Sequence, residues 1–285
     1  MQTTDGYRIV TLANGVRSVH SLAHRETFHP VIGPVAEAEA LYVHQLRLRE
    51  RLATHTGEFV IWDVGLGAAA NALTVLRATR DLACPVRLVS FDHTLEPLAF
   101  ALAHAAELGY FDGAEVAVKQ LLTDQCATVA EKARTVEWEV HVGDFPSLIA
   151  SRAAEALPKP HAILFDAFSP AKNPAMWTLP LFKRMFALLD TSRPCAMPTY
   201  SRSTMLRVSW LLAGFSVGAG HATGEKEETT IAANSPSLIS EPLGHNWLRR
   251  ARRSTSAEPL HEAVYRQAPL AEETWAKLAR HGQFA

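Results

Sequence analysis

Length, composition and charge exclude several classes of protein. The chain has 285 residues, 48% hydrophobic and 20% charged, so it can bury a sizeable core and has the composition of an ordinary globular protein. Its formal net charge of -1 lacks the bulk basicity of most nucleic-acid-binding proteins, and its three cysteines are too scattered for a disulfide framework or a structural zinc site. No apolar run reaches the roughly 18 to 20 residues of a membrane span, and no signal peptide precedes the first element, so we expect a cytoplasmic protein.

The first elements predicted are a hairpin and a helix. Residues 7–19 alternate around Asn14 and Gly15, a pair that favours a tight hairpin turn, so we expect a small N-terminal β-hairpin extension within residues 1–30. Pro34 can begin a helix that runs to about residue 52. His20, His24 and His29 have no carboxylate or thiol at a recognised metal-ligand spacing, so we assign no metal.

From residue 58 onward, strand patterns alternate with helix patterns. The predicted strands are 59–62, 86–91, 136–142, 161–165, 195–199, 215–219 and 229–233. The predicted helices are 68–79, 95–108, 147–156, 179–189 and 204–213, with a helical insertion at 115–134. This alternation predicts an α/β fold with a mostly parallel sheet, helices on both faces and a closing antiparallel hairpin. We assign 31–234 to this main domain and the proline-interrupted segment 235–285 to a C-terminal appendage packed on it.

Four aspartates stand at the ends of the predicted strands. They are Asp63, Asp92, Asp144 and Asp166. Ligands of open α/β sheets bind along the carboxyl edge of the strands, so this row predicts a ligand site. Asp92 is placed to accept hydrogen bonds from ribose hydroxyls, and Asp144 from an exocyclic adenine amine. The row therefore favours a nucleoside ligand.

A glycine-containing turn follows the first of these strands. Gly65 and Gly67 allow the backbone after Asp63 to approach a ligand, with the amide groups of a helix just beyond. A dinucleotide site would need a third glycine where the chain has Ala70, which disfavours a nicotinamide-dependent oxidoreductase.

The segment ILFDAFSPAKNPAMW, residues 163–177, joins a buried strand to a loop. Pro170 and Pro174 restrict the residues before them to extended conformations, so we expect an ordered, non-helical loop at 167–176. The segment resembles the strand-end loop of the methyltransferase domain of the MnmC family, which completes 5-methylaminomethyl-2-thiouridine at the tRNA wobble position. The matching residues are Asp166, Phe168, Pro170, Ala171, Lys172, Asn173, Pro174, Met176 and Trp177.

The resemblance extends from about residue 25 to residue 233. Further matching positions are His29, Glu37, Glu39, Tyr42 and Val43 near the N-terminus, Tyr200, Ser201 and Arg202 after the fifth strand, and Gly224, Lys226 and Glu228 in the final hairpin. The chain departs from the family pattern at Ala69, where MnmC proteins have a third glycine.

The resemblance implies a Rossmann-like class I methyltransferase fold with a seven-stranded sheet, and S-adenosylmethionine as the cofactor. The residues that it implies at the cofactor are Asp63, Gly65, Gly67, Asn71, Asp92, Asp144 and Asp166. Those that it implies at the substrate are His29, Glu37, Phe168, Pro170, Lys172, Asn173, Trp177, Tyr200 and Lys226. The implied partner is tRNA. MnmC also carries a flavin oxidase domain that makes the acceptor amine, so we expect either a separate flavin oxidase upstream or a different substrate.

The implied reaction assigns a catalytic role to Asp166. Methyl transfer from a sulfonium requires alignment of donor and acceptor, and an alkylamine acceptor arrives protonated and has to lose a proton. Asp166 is placed to orient the amine and to receive that proton, directly or through water. Whether it acts as a base or only as a positioning group stays open at the level of sequence.

Two other functions fit the same sequence. A small-molecule amine methyltransferase or aminopropyltransferase would use the same acid against a different amine and would close its cleft with an acidic lid. A non-catalytic nucleoside-binding protein would account for Ala69 in the glycine turn. A tRNA enzyme, by contrast, requires basic surface near Asp166, which the cluster Arg249, Arg250, Arg252 and Arg253 can supply.

Overall fold

A computed structural model describes residues 6–223 and 227–285 and divides them into two compact units. The first unit contains the described residues of 6–144, 162–166, 222–223 and 227. The second contains 145–161, 167–221 and 228–285. The predicted boundaries at residues 30 and 234 stay predictions.

The N-terminal strands of the first unit form a small antiparallel sheet. Its strands, in the order β1-β2-β3, are Tyr7–Thr11, Arg17–Ser21 and Glu26–Thr27. In the turn between the first two strands, the Asn14 side chain accepts a hydrogen bond from the Val16 amide (3.1 Å), and Gly15 has a φ of 81°. The predicted hairpin is therefore confirmed, and the short β3 extends it.

The main strands of the first unit are mostly parallel. They are β4 (Phe59–Val64), β5 (Val86–Asp92), β6 (Cys126–Ala130), β7 (Thr135–Val142) and β8 (Ala162–Phe165). Their order is β8-β4-β5-β7-β6, with only β6 running antiparallel to its neighbour. Every residue of β4 and β8 is buried, as expected for central strands whose two faces are both covered.

The described residues of the first unit form six α-helices, of which two precede β4 and four lie between the main strands. They are α1 (Pro34–Ala38), α2 (Leu48–Thr54), α3 (Ala70–Thr79), α4 (Glu96–Ala103), α5 (Ala105–Leu108) and α6 (Glu115–Asp124). The single helix predicted for 34–52 is wrong, because a π-helical segment (Glu39–His44) and a left-handed Arg47 interrupt it. The helix predicted for 95–108 is likewise divided at His104.

The second half of the predicted insertion at 115–134 is a strand. Gln125 has a φ of 57°, which ends α6, and the following residues pair with β7 as β6. Thr128 and Val129 are β-branched, a type enriched in strands, but this pairing with a later segment decides their conformation.

The second unit has helices α7 (Phe145–Ala150), α8 (Leu179–Leu188), α9 (Thr204–Ala213), α10 (His245–Arg253) and α11 (Glu272–Ala279). Its strands are β9 (Ala196–Thr199), β10 (Ser216–Gly220) and β11 (Thr229–Ala233), arranged β10-β11-β9 with antiparallel pairs. The predicted closing hairpin is confirmed by the pairing of β10 with β11. In the described residues the strands outside the small sheet number eight, and β6 is the strand that the predicted seven omitted.

Within the described residues, no helix combines the length and the apolar character needed to cross a bilayer. The same residues contain no group of three or more His, Cys, Asp or Glu side chains arranged to hold a metal ion.

Candidate functional site

The four strand-end aspartates lie on one edge of the parallel strands in the first unit. β4 aligns residue by residue with both β5 and β8, and β5 aligns with β7. Asp92 is the last residue of β5, Asp166 directly follows β8, and the exposed Asp144 stands two residues beyond β7. Asp63 lies inside β4, one residue before its end, because the strand extends two residues beyond the predicted 59–62. The predicted row of acids therefore exists along the carboxyl edge.

Asp63 is fully buried, with 0% of its surface exposed. Its Oδ2 accepts a hydrogen bond from the Ser90 hydroxyl (2.9 Å), and Ser90 accepts one from the indole N–H of Trp138 (2.9 Å). Its Oδ1 has no hydrogen-bond partner among the described residues. Burial, with smaller contributions from the charges of Asp166 and Asp92, raises the pKa of Asp63 to about 7, although the Ser90 hydrogen bond opposes this. The site thus holds an unsatisfied acceptor that a donor on a ligand would satisfy.

The glycine turn is tied to Asp92. Gly65 and Gly67 have φ values of 93° and 52°, in the left-handed region that glycine adopts without a Cβ clash. The Gly67 amide donates to Asp92 Oδ2 (2.7 Å), which links the turn to the end of the neighbouring strand. Burial raises the pKa of Asp92, and this amide is the largest of the hydrogen bonds that oppose the rise.

Ala69, which replaces the third glycine of the family pattern, is also left-handed. Its φ is 61° and its side chain is fully buried. A left-handed conformation costs an alanine roughly 1 to 2 kcal/mol that it would not cost glycine. The turn therefore keeps the backbone path of a glycine turn and stores a small strain at its entry into α3.

Asp166 is the centre of a buried polar cluster. Its Oδ2 accepts a hydrogen bond from the side-chain amide of Asn71 (2.7 Å) and lies 3.7 Å from His29 Nε2. On the other side of the imidazole, His29 Nδ1 lies 3.2 Å from Glu37 Oε1. The side chains of His29 and Glu37 are each 8% exposed and that of Asp166 is 15% exposed. The structure thus joins two residues predicted to bind substrate to the residue predicted to be catalytic.

His29 is held between two carboxylates in a strained backbone conformation. Its φ is 49°, which is uncommon outside glycine and typical of functional sites when it occurs. Burial lowers the pKa of the imidazole, but the charge of Asp166 and the hydrogen bond and charge of Glu37 outweigh it, so the pKa is raised above its ordinary value. The cluster therefore favours a positively charged imidazole.

The residues on this edge fit a cationic nucleoside cofactor. Asp63 Oδ1 and Asn71 Oδ1 are buried acceptors that no described residue satisfies. A ligand with an ammonium group and ribose hydroxyls supplies donors for both. The carboxylates along the edge also favour a positive charge such as a sulfonium.

In the second unit, the loop that follows Asp166 is anchored by aromatic residues. Trp177 is fully buried and its indole N–H donates to the Phe168 carbonyl (2.7 Å). Tyr200 donates to the Ala167 carbonyl (3.1 Å), and its ring meets Trp177 edge to face at 6.2 Å. Trp177 therefore presents no ring face to a substrate in this conformation, whereas Phe168 is only half-buried.

The remaining loop residues are accessible to different degrees. Pro170 and Asn173 are half-buried and Lys172 is exposed. Pro174–Trp177 forms a single 3-10 turn, so the prediction of a wholly non-helical loop is wrong at its end. Lys226, predicted to bind substrate, lies outside the described residues.

Sequence reasoning missed Arg207, a buried cation in the second unit. Its side chain is 3% exposed, pairs with Glu228 (3.0 Å) and donates to the Thr230 hydroxyl (3.0 Å) and the Thr229 carbonyl (2.8 Å). The available signal was a single charged residue, the arginine, within the mostly apolar helix TMLRVSWLLA.

The sequence matches one family model and several known proteins. Residues 110–235 match the sequence model of a family described as S-adenosyl-L-methionine-dependent methyltransferase. The chain is 29% identical over 227 residues to the tRNA 5-methylaminomethyl-2-thiouridine biosynthesis bifunctional protein MnmC of Methylibium petroleiphilum, covering 78% of this chain and 34% of that protein. MnmC of Pseudomonas putida is 27% identical over 281 residues, covering 92% of this chain and 40% of that protein. The chain thus spans well under half the length of these relatives.

A solved structure supports the fold. The crystal structure of MNMC2 from Aquifex aeolicus aligns with a TM-score of 0.67 at 23% identity, over 96% of this chain and 84% of that chain. The family match indicates S-adenosylmethionine as the cofactor, and the structural match supports the fold. The chain is similar, over residues 110–235, to a family of S-adenosyl-L-methionine-dependent methyltransferases, and over most of its length to part of the MnmC proteins.

Proposed function

We propose that this enzyme methylates the aminomethyl nitrogen of the wobble uridine in tRNA, converting 5-aminomethyl-2-thiouridine to 5-methylaminomethyl-2-thiouridine. The observation that carries the proposal is the buried cluster of Asp166, Asn71, His29 and Glu37 at the carboxyl edge. The relatives MnmC of Methylibium petroleiphilum and Pseudomonas putida bear names that describe biosynthesis of this nucleoside.

The cluster suits an alkylamine acceptor. Such an amine is protonated at neutral pH, and only its free base has the lone pair that can attack a methyl group. The amine approaches Asp166 as an ammonium ion and donates a hydrogen bond to the carboxylate. Asn71 fixes the orientation of that carboxylate through Oδ2 (2.7 Å).

The proton has to leave the nitrogen for the transfer to occur. When bound, S-adenosylmethionine supplies an electrophilic methyl group on a positively charged sulfur. One N–C bond forms, one C–S bond breaks, and one amine proton passes to Asp166 or to water. When the His29 imidazole is protonated, its positive charge beside Asp166 disfavours a second cation there and so promotes loss of the proton.

The loop after Asp166 supplies groups for the base. Phe168 is accessible enough to stack on a uracil ring, and Lys172 and Asn173 bind the flanking backbone. Hydrogen bonds from Trp177 and Tyr200 hold the path of the loop, and Pro170 restricts the residue before it to extended conformations. Lys226 is proposed to meet phosphate.

The proposal requires an upstream reaction. The aminomethyl group has to be unmasked before it can be methylated, and we place a flavin oxidase at that step. Both reactions belong in the cytoplasm, where tRNA is available.

The test is methyl transfer from radiolabelled S-adenosylmethionine to two preparations of tRNA. One carries 5-aminomethyl-2-thiouridine at the wobble position and the other carries unmodified uridine. We expect label only with the first, in the wobble nucleoside after digestion, and a rate lower by on the order of 100-fold or more with the Asp166→Asn variant near pH 7. Transfer to small diamines instead of tRNA would support a small-molecule amine enzyme. Cofactor binding by calorimetry without transfer to any amine would support a non-catalytic protein.

A further inference from the structure

Arg207 is a buried charged residue of α9 that has no part in the reaction described above. Its guanidinium binds three successive residues where β11 begins: Glu228 through Nη1 (3.0 Å), the Thr229 carbonyl through Nη2 (2.8 Å) and the Thr230 hydroxyl through Nε (3.0 Å). Burying a guanidinium is costly, and replacing a buried ion pair by apolar side chains of similar volume is often neutral or stabilising. Stability alone is therefore a weak reason for an arginine at this position.

The Thr230 hydroxyl extends this contact to the turn between β9 and α9. It accepts from Arg207 and donates its one hydrogen to the Ser201 carbonyl (2.6 Å), so the direction of both hydrogen bonds is fixed. Further along the turn, the Arg207 backbone amide donates to the Ser203 carbonyl (3.1 Å). Residues 200–203 are therefore held both from β11 and from α9.

That turn carries an anchor of the loop at residues 167–177. Tyr200, the residue before Ser201, donates to the Ala167 carbonyl (3.1 Å), and its ring meets Trp177 edge to face at 6.2 Å. Both contacts lie within the second unit, as do those of the guanidinium. A series of hydrogen bonds and one peptide link therefore joins the buried guanidinium to the start of the loop.

We propose that Arg207 is a positioning residue for the methyl acceptor, acting through Thr230 and Tyr200 on the loop at residues 167–177. The inference rests on the proposed function, which assigns the wobble base to this loop. The side chain of Arg207 is 3% exposed, so it acts on the acceptor through the loop that carries Phe168 and does not bind the acceptor itself. A displacement of about 1 Å in a group that orients a substrate can lower the rate about 100-fold.

The first test changes the hydroxyl that links Arg207 to the turn. Thr230→Val keeps the shape of the side chain but can neither accept from Arg207 nor donate to Ser201, and Thr230→Ser keeps the hydroxyl as the matched control. We expect Thr230→Val to lower kcat/KM for tRNA about 10- to 100-fold at saturating S-adenosylmethionine, and Thr230→Ser to stay close to the wild type. The affinity for S-adenosylmethionine, measured by calorimetry, should be the same in all of these proteins. A merely structural role would lower the melting temperature and leave kcat/KM unchanged at temperatures where the variants are folded.

Arg207→Met removes the guanidinium and fills its space with an apolar side chain. We expect a similar loss of kcat/KM for tRNA and an unchanged affinity for S-adenosylmethionine. Thermal unfolding identifies the temperatures at which each variant is folded. If Arg207→Met does not fold, the two Thr230 variants decide the question.

A double-variant cycle tests the path through Tyr200. Tyr200→Phe removes the hydrogen bond to Ala167 and keeps the ring. If Thr230 and Tyr200 act in one series, the protein with both Thr230→Val and Tyr200→Phe should lose no more kcat/KM than the more affected single variant. Losses that multiply, a fall in cofactor affinity, or wild-type kcat/KM in folded Thr230→Val would refute the role of Arg207 while the proposed function stands. If the wild type transfers no methyl group to tRNA, the proposed function fails, and this inference fails with it.

Discussion

At the scale of single residues, Asp166 receives a hydrogen bond from Asn71 and lies beside the imidazole of His29. The substitution Asp166→Asn keeps the shape of the side chain and its capacity to accept from Asn71, but removes its capacity to take a proton. We expect a loss in kcat on the order of 100-fold or more near pH 7, since general bases contribute roughly 10² to 10⁴. The loss should shrink towards about pH 10, where the amine loses its proton to solvent. A smaller loss that does not vary with pH, measured in single-turnover reactions, would make Asp166 a positioning residue.

Glu37 holds the other side of His29, and this contact predicts a pH-dependent stability. The folded-state pKa of His29 is raised above its ordinary value of 6.5. Its contribution to stability is therefore fully present below that value and is lost as the pH rises through the folded-state pKa. We expect Glu37→Gln to lower the free energy of unfolding by roughly 1 to 2 kcal/mol near pH 6 and by less near pH 9. Urea unfolding at both pH values measures the difference.

Glu39→Gln is the control for this prediction. Glu39 is in the adjoining segment, and its ion-pair partner is Arg77 (3.3 Å) and not a histidine. Glu39→Gln should change the free energy of unfolding little, and equally at the two pH values. If Glu37→Gln also has equal effects at both values, the imidazole does not titrate against Glu37.

At the scale of elements, substitution by glycine should stabilise the protein at the end of α6 and destabilise it inside the same helix. Gln125 is exposed and left-handed (φ 57°) where α6 ends and β6 begins, and its amide donates to the Leu121 carbonyl (3.1 Å). Gln125→Gly relieves the strain, so we expect roughly 0.5 to 1 kcal/mol of stabilisation. Gln120→Gly, at an exposed position inside the same helix, should destabilise by about 1 kcal/mol. Thermal unfolding of both variants checks the signs, and shifts of the same sign would contradict the assigned end of α6.

The same helix end illustrates what the sequence could and could not predict. The hairpin at Asn14-Gly15 and Asp166 at the end of β8 follow from local patterns, because turn residues and apolar runs are short-range signals. The strand β6 depends on pairing with β7, and no local pattern at 126–130 distinguished it from a continued helix. Tertiary pairing overrides local propensity in such cases.

Parts of the candidate site were also predictable from the sequence, and parts were not. The row of acids was predictable because parallel strands present their carboxyl ends along one edge. The contact of Asn71 with Asp166 joins residues 95 apart in the chain, and the insertion of His29 between Asp166 and Glu37 depends on the folded path of the N-terminal segment. Such contacts require coordinates.

At the scale of the whole molecule, the buried charge of Asp63 makes global stability depend on pH. Folding raises its pKa from 3.8 to about 7, so the folded protein binds a proton more tightly than the unfolded chain. The free energy of unfolding therefore falls as the pH rises from about 4 to about 7, by at most about 4 kcal/mol. One oxygen of this carboxylate has no hydrogen-bond partner among the described residues, and we expect a cationic cofactor to offset the cost by supplying a donor or a positive charge.

The Asp63→Asn variant tests whether Asp63 lowers the free energy of unfolding and strengthens binding of the cofactor. The variant cannot ionise, yet it still accepts from Ser90, so near pH 8 we expect the ligand-free protein to gain about 2 kcal/mol in free energy of unfolding and to lose the gain near pH 4. Its affinity for S-adenosylmethionine should fall at least about tenfold by calorimetry, since a charged acceptor becomes neutral.

Asp81→Asn is the contrasting control. Arg49 lowers the pKa of Asp81 to about 2, so the stability that the Asp81 carboxylate contributes is present above the ordinary pKa of 3.8 and is lost on acidification. That variant should not gain stability at pH 8 and should bind the cofactor normally. A destabilised Asp63→Asn protein at pH 8 would mean that the buried carboxylate is satisfied in solution, and the unsatisfied acceptor would no longer explain cofactor binding at this edge.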